Sequence, residues 1–232
     1  QVIDGIAMIS VSGTLTHKFG YLNPMSGMTG YDGIETKLTH AINDNDVKGI
    51  LLDIDSPGGE VSGCFDLADF IFNARKDKPI WAVADEMACS AAYALGSSAS
   101  RLILPRTAQV GSIGVLTAHT DISKLNEERG IDVTLIYAGS HKVDANPYEK
   151  LPDSVRADIQ TDVDEMYQMF VDLSARNRGL KTQDVIDTQA RIYQGGAAVI
   201  NKLADAVMPA NKVLPEFINH LSSSGRKTVG VT

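Results

Sequence analysis

Residues 50–63 read Ile50-Leu51-Leu52-Asp53-Ile54-Asp55-Ser56-Pro57-Gly58-Gly59-Glu60-Val61-Ser62-Gly63. A short apolar run from Ile50 to Ile54 meets Ser-Pro-Gly-Gly, and Val61, Phe65, Ala68 and Phe72 then recur at helical spacing. The pattern predicts a buried strand, a tight turn and an amphipathic helix. Paired glycines accept positive φ, and no side chain shields the amides of Gly58 and Gly59. Beside a helix N-terminus those amides would favour negative charge and stabilise a developing oxyanion. An ordinary strand-to-helix turn uses the same residues. A second strand–turn–helix unit with a candidate nucleophile decides between the two readings.

Around this unit the chain alternates predicted strands and helices. Upstream lie a strand at Ile6–Val11, a mobile Gly-, Met- and Ser-rich loop from Leu15 to Gly30, and a helix at Asp32–Asn43 capped by Asp32. Downstream come a strand at Ile80–Ala84, a small-residue helix at Cys89–Ser98, and strands at Arg101–Leu104 and Val110–Leu116. A helix at Asp121–Arg129, a strand at Val133–Tyr137 and a polar loop at Ala138–Pro152 follow. Val155, Ile159, Val163, Met166, Phe170 and Leu173 then lie three or four apart, which predicts one long helix over Asp153–Arg178, stopped by Gly179. Thr182 is a candidate cap for a further helix; a strand at Arg191–Tyr193 and helices at Ala197–Ala204 and 211–221 complete the series. The alternation implies an α/β fold with mostly parallel strands. One domain is expected over residues 1–221, with 222–232 as a polar, disordered tail.

Composition narrows the function. The 232 residues are 44% hydrophobic, enough for a substantial core. A net charge of −8, with no basic stripe, argues against a nucleic-acid surface. Two cysteines, Cys64 and Cys89, make no disulfide framework, so a reducing, cytoplasmic compartment is expected. No apolar run reaches the length of a membrane span. The chain opens Gln1-Val2-Ile3-Asp4-Gly5 without a signal peptide or an initiator Met, and is expected to be a trimmed piece.

The candidate nucleophile is Ser90. In Asp85-Glu86-Met87-Ala88-Cys89-Ser90-Ala91-Ala92-Tyr93 it follows a predicted strand and opens a helix, the setting of a nucleophile elbow, although Gly-x-Ser-x-Gly is absent. A serine in that position also serves simply as an N-cap. Its base must come from elsewhere. His119 is one candidate, but no Asp can be assigned to orient it. Lys142, in Gly139-Ser140-His141-Lys142-Val143-Asp144, is the other. A lysine base works only when burial brings its amine well below the usual value of about 10.4. Most loop lysines are simply solvated. No metal or other cofactor is expected.

Four ordered motifs resemble the signal peptide peptidase A family of Ser–Lys serine peptidases: Asp-Ser-Pro-Gly-Gly (55–59), Met-Ala-Cys-Ser-Ala-Ala-Tyr (87–93), Val-Gly-Ser-Ile-Gly-Val (110–115) and Ser-His-Lys (140–142), followed by Asn-Pro-Tyr-Glu (146–149). Arg-Ile-Tyr-Gln-Gly-Gly-Ala-Ala (191–198) is similar to a late family segment, so the likeness spans Ile6 to Val207. The resemblance implies a Clp/crotonase-type fold of stacked ββα units, Ser90 as nucleophile, Lys142 as general base, and oxyanion-hole amides at Gly58, Gly59 and Ala91. Family members often have Gly after the serine; Ala91 and Ala92 here look more like the phage head maturation branch. That branch implies scaffold and capsid proteins as substrates and a ring-like homo-oligomer. The alternatives are a cellular signal-peptide peptidase, acting on signal-peptide remnants, and a catalytically silent assembly module.

Overall fold

The computed structural model describes residues 1–19 and 27–226. In chain order the elements are β1 (Val2–Ile3), β2 (Ile6–Thr16), β3 (Met28–Gly30), α1 (Tyr31–Asn43), β4 (Gly49–Gly59), α2 (Cys64–Ala74), β5 (Ile80–Cys89), α3 (Ala91–Ser98), β6 (Arg101–Leu104) and β7 (Gln109–Gly111). They continue with α4 (Ser123–Glu128), α5 (Asp153–Arg178), α6 (Thr182–Ile186), β8 (Ile192–Gln194), α7 (Gly196–Ile200), β9 (Ala206–Val207) and α8 (Ala210–Arg226). Two compact units result: Gln1–Gly114 with Met169–Thr232, and Val115–Gln168.

The first unit is built on one sheet in which β1, β2, β4, β5, β6 and β9 lie side by side; β3 pairs with β2, and β7 links β5 to β8. All pairings are parallel except β1 with β2 and β7 with β8. Side chains alternate between the faces of a strand. Leu51 therefore meets α8 on one face, in a cluster with Ile6, Trp81, Val83, Ile103, Val213 and Phe217. The Trp81 and Phe217 rings stack at 4.5 Å. Ile54 points to the other face, where its Cδ1 lies 3.1 Å from where a Cβ on Gly96 of α3 would be. That close fit explains why α3 is built of small residues: all eight of its positions are buried.

Polar bonds hold α3 in place. The Tyr93 hydroxyl donates to Leu203 O at 3.1 Å. Asn177 Nδ2 at the end of α5 donates to Ser97 and Ser98 Oγ at 3.1 and 2.8 Å. Next to it, Arg178 pairs with both oxygens of Asp205 at 2.9 Å and donates to Lys202 O.

Several elements differ from the sequence expectation. β2 continues to Thr16, with Leu15 fully buried and paired with Gly59, and 28–30 of the expected loop form β3; residues 20–26 of that loop lie outside the described residues. Gly30, not Asp32, is the N-cap of α1; Asp32 Oδ1 accepts the Gly33 and Phe19 amides. β4 runs on through Ser56-Pro57-Gly58-Gly59 because its ladder with β2 resumes after a register shift, and α2 starts only at Cys64 behind a left-handed Gly63. The Gly58 and Gly59 amides are thus strand amides and not part of the N-terminus of α2. β7 stops at Gly111, α7 ends at Ile200, and Lys181, not Thr182, is the N-cap of α6. α5 has the predicted bounds. α8 continues past 221 to Arg226, and residues 227–232 of the expected tail lie outside the described residues.

The second unit holds α4, the first part of α5 and a long irregular stretch. The strand expected at Val133–Tyr137 is not formed: among the described residues the segment has no paired neighbour, and Val133, Leu135, Ile136 and Tyr137 are exposed. Alternation alone does not make a strand when no partner supplies backbone hydrogen bonds. Among the described residues, no helix is long and apolar enough to cross a membrane.

Candidate active site

Ser90 is the single residue between the end of β5 and the start of α3. Its φ of 52° and ψ of −126° are unusual for a side chain other than glycine, a strain costing about 1–3 kcal/mol. Its hydroxyl makes no capping bond to α3, so the simple N-cap role is not the one it has. Its amide donates to Gly111 O at 2.8 Å, which ties it to the Val-Gly-Ser-Ile-Gly motif. The residue is half-buried between a buried Cys89 and a buried Ala91.

The Gly58–Gly59 stretch meets this junction. A Cβ on Gly58, which has φ of 110°, would lie 2.7 Å from Ser90 Cβ, 2.9 Å from Cys89 O and 3.1 Å from Ala91 N. Only glycine permits that approach. The Gly58 amide is already engaged, donating to Ser56 Oγ at 3.1 Å, and Ser56 Oγ in turn donates to Gly13 O at 2.7 Å. Glu60 N–H is spent on Leu15 O in β2 at 2.9 Å. A Cβ on Gly59 would collide with Leu15 O of β2, so this position too accepts only glycine. Ala91, in the first turn of α3, has no intrahelical acceptor for its amide. Ser56 belongs to the Asp-Ser-Pro-Gly-Gly motif, yet its role as the fully buried peg of the turn is not visible from its residue type.

Burial pushes the Cys89 thiol up to about 11, so this neighbour of Ser90 stays protonated. The other members of the set lie in the second unit. Lys142 is exposed, in a turn where its amide donates to Gly139 O at 3.1 Å. Behind it, Asn146 ties the Asn-Pro-Tyr-Glu motif together: its Nδ2 donates to Val143 O and Glu149 Oε1, and its Oδ1 accepts the Tyr148 amide. His119 donates through Nε2 to Asn146 O at 2.9 Å, an acceptor that can only take a proton from it. Among the described residues no carboxylate orients His119, and none of the His, Cys, Asp and Glu side chains form a group suited to hold a metal. A cavity of about 510 Å³ in this unit is lined by His119, Arg156, Leu151, Ile159 and Val163 among others, and Lys142 is not in its wall.

The model of peptidase family S49 matches residues 73–221, well over half of the chain and including the Ser90 junction, the Lys142 turn and the Arg-Ile-Tyr-Gln-Gly-Gly segment. The chain belongs to peptidase family S49. Its S49 membership brings the Clp/crotonase-type α/β fold expected from the motifs, in agreement with the mostly parallel sheet. The chain is 49% identical over 208 residues to the capsid assembly protease C of Escherichia phage lambda, covering 90% of this chain and 47% of that protein. It is 43% identical over 226 residues to the head-tail preconnector protein GP5 of Enterobacteria phage P21, covering 97% and 45%. A more distant S49-like relative is the chloroplastic serine protease SPPA of Arabidopsis thaliana, 27% identical over 207 residues, covering 88% and 30%. The chain therefore spans about half the length of the phage proteins it matches.

Proposed function

We propose that the chain is a serine endopeptidase with Ser90 as nucleophile and Lys142 as general base. The observation that carries this reading is the strained serine at the β5–α3 junction, which caps nothing and is pressed against Gly58. Ser90 Oγ attacks the substrate carbonyl carbon while its proton passes to Lys142 Nζ. The carbonyl electron pair moves onto oxygen, which the Gly59 and Ala91 amides receive; Gly58, its own amide held by Ser56, supplies the close approach. Collapse of the tetrahedral intermediate expels the amine, which takes the proton from the lysine. Water then repeats the sequence to free the acyl group.

The likeness to a capsid assembly protease and a head-tail preconnector protein supports capsid-assembly proteins as substrates; scaffold proteins cut inside an assembling shell in the host cytoplasm are the form this takes in the branch that the Ser-Ala-Ala-Tyr motif resembles. Lys142 is exposed in the single chain, whereas a lysine base must be desolvated. We assign the missing cover to a second copy in a closed homo-oligomeric ring, in which Lys142 of one chain meets Ser90 of its neighbour.

The test is peptide cleavage together with fluorophosphonate labelling. Ser90→Ala should abolish labelling and lower cleavage by roughly 10⁴-fold or more. Lys142→Arg should be equally inactive, since guanidinium does not give up its proton. Cys89→Ala should keep most activity. An active Ser90→Ala protein beside a dead Cys89→Ala protein would overturn the assignment.

A further inference from the structure

Tyr31 opens α1 and is 2% exposed, yet it carries a hydroxyl where Phe would fill the same space. A buried hydroxyl is costly unless it is bonded. This one donates to Glu60 O at 2.6 Å, one residue beyond the Gly58–Gly59 pair. Glu60 is gripped twice more: its amide donates to Leu15 O, and its Oε2 accepts the His17 amide at 2.7 Å. Burial keeps the phenol protonated, so it stays a donor. The thiol of Cys64, the first residue of α2, lies beside the Tyr31 hydroxyl. Cys64, 1% exposed, directs its Sγ to Ala91 O at 3.6 Å. One buried pair thus touches both walls of the candidate oxyanion hole: the strand end that carries Gly59 and the helix turn that carries Ala91. Neither residue has a part in the chemistry described above.

We infer that Tyr31 is a positioning residue for peptide cleavage, which with Cys64 sets the distance between the Gly58–Gly59 strand end and the first turn of α3. The inference rests on the Ser90 reading. Its effect belongs to the transition state, because the two amides must meet an oxyanion that exists only there.

The experiment compares wild type with Tyr31→Phe, Cys64→Ala and Cys64→Ser, with rates normalised to folded enzyme by fluorophosphonate titration taken to completion. Tyr31→Phe should lower kcat about 10-fold or more while KM changes less than about twofold. A peptide aldehyde, which forms a tetrahedral adduct with the serine, should lose affinity by a similar factor. Cys64→Ala should shift the same quantities in the same direction, and Cys64→Ser, which keeps a hydrogen-bonding group, should recover part of the loss. Wild-type kcat and aldehyde affinity in both Tyr31→Phe and Cys64→Ala would overturn the inference. So would a loss confined to the folded fraction, with normal activity per folded enzyme. If Tyr31→Phe does not fold, the two Cys64 variants decide by the same measures. A Ser90→Ala control separates the two levels: activity in that variant defeats the Ser90 reading itself, whereas its inactivity beside a normal Tyr31→Phe defeats only the role given to Tyr31.

Discussion

Asp53 stands in β4, half-buried, with Ser10 and Val83 as its neighbours across the ladder. Burial raises its pKa above the ordinary carboxylate value, and repulsion from Asp85 and Asp55 adds to the shift. The folded chain therefore holds this proton more tightly than the unfolded chain does. The stability that comes from Asp53 is complete below the usual carboxylate range and is lost as pH rises through the raised value. Near neutral pH the ionised group is a burden on the sheet. Asp53→Asn should consequently raise the urea midpoint near neutrality, and its advantage should fade on acidification into the carboxylate range. A variant less stable than wild type near neutral pH would mean that the carboxylate has a favourable role in the sheet.

The ends of elements fix the site more than their middles do. Arg178, the last residue of α5, is 8% exposed and forked onto Asp205, whose Oδ2 also accepts the Leu102 amide at the start of β6. Arg178→Ala should cost roughly 2 kcal/mol, below the 3–5 kcal/mol of fully buried pairs because Asp205 is partly solvated. The urea midpoint measures this, and no loss would mean that Asn177 and Tyr93 hold α3 without the ion pair. Element ends are also where the sequence was least legible. α5 could be read to the residue, since its apolar spacing and Gly179 are local signals. The end of β4 could not: Pro-Gly-Gly has the chemistry of a turn, and only pairing with β2 keeps it extended. Ser90 was legible as a strand–helix junction. Ser56 and Tyr31 were not, because the carbonyls their hydroxyls donate to lie 43 and 29 residues away.

At the scale of the whole molecule, the ring proposal predicts complementation. Inactive Ser90→Ala and Lys142→Ala chains, unfolded and refolded together, should recover partial cleavage, since some junctions in mixed rings carry both wild-type residues. Mixed oligomers with no recovered activity would put the dyad within one chain. The stacked Trp81–Phe217 pair has a use in that experiment. Trp81 is the sequence's single tryptophan, 3% exposed, with Phe217 against one ring face and the Arg101 guanidinium 4.8 Å from its centroid. Its intrinsic emission is therefore a built-in optical gauge of α8 docking on the sheet. The segment 115–168, which carries Lys142, has no indole and leaves that signal silent. Fluorescence thus follows the refolding of the serine-bearing unit alone, and any delay between its return and the return of cleavage times the later steps.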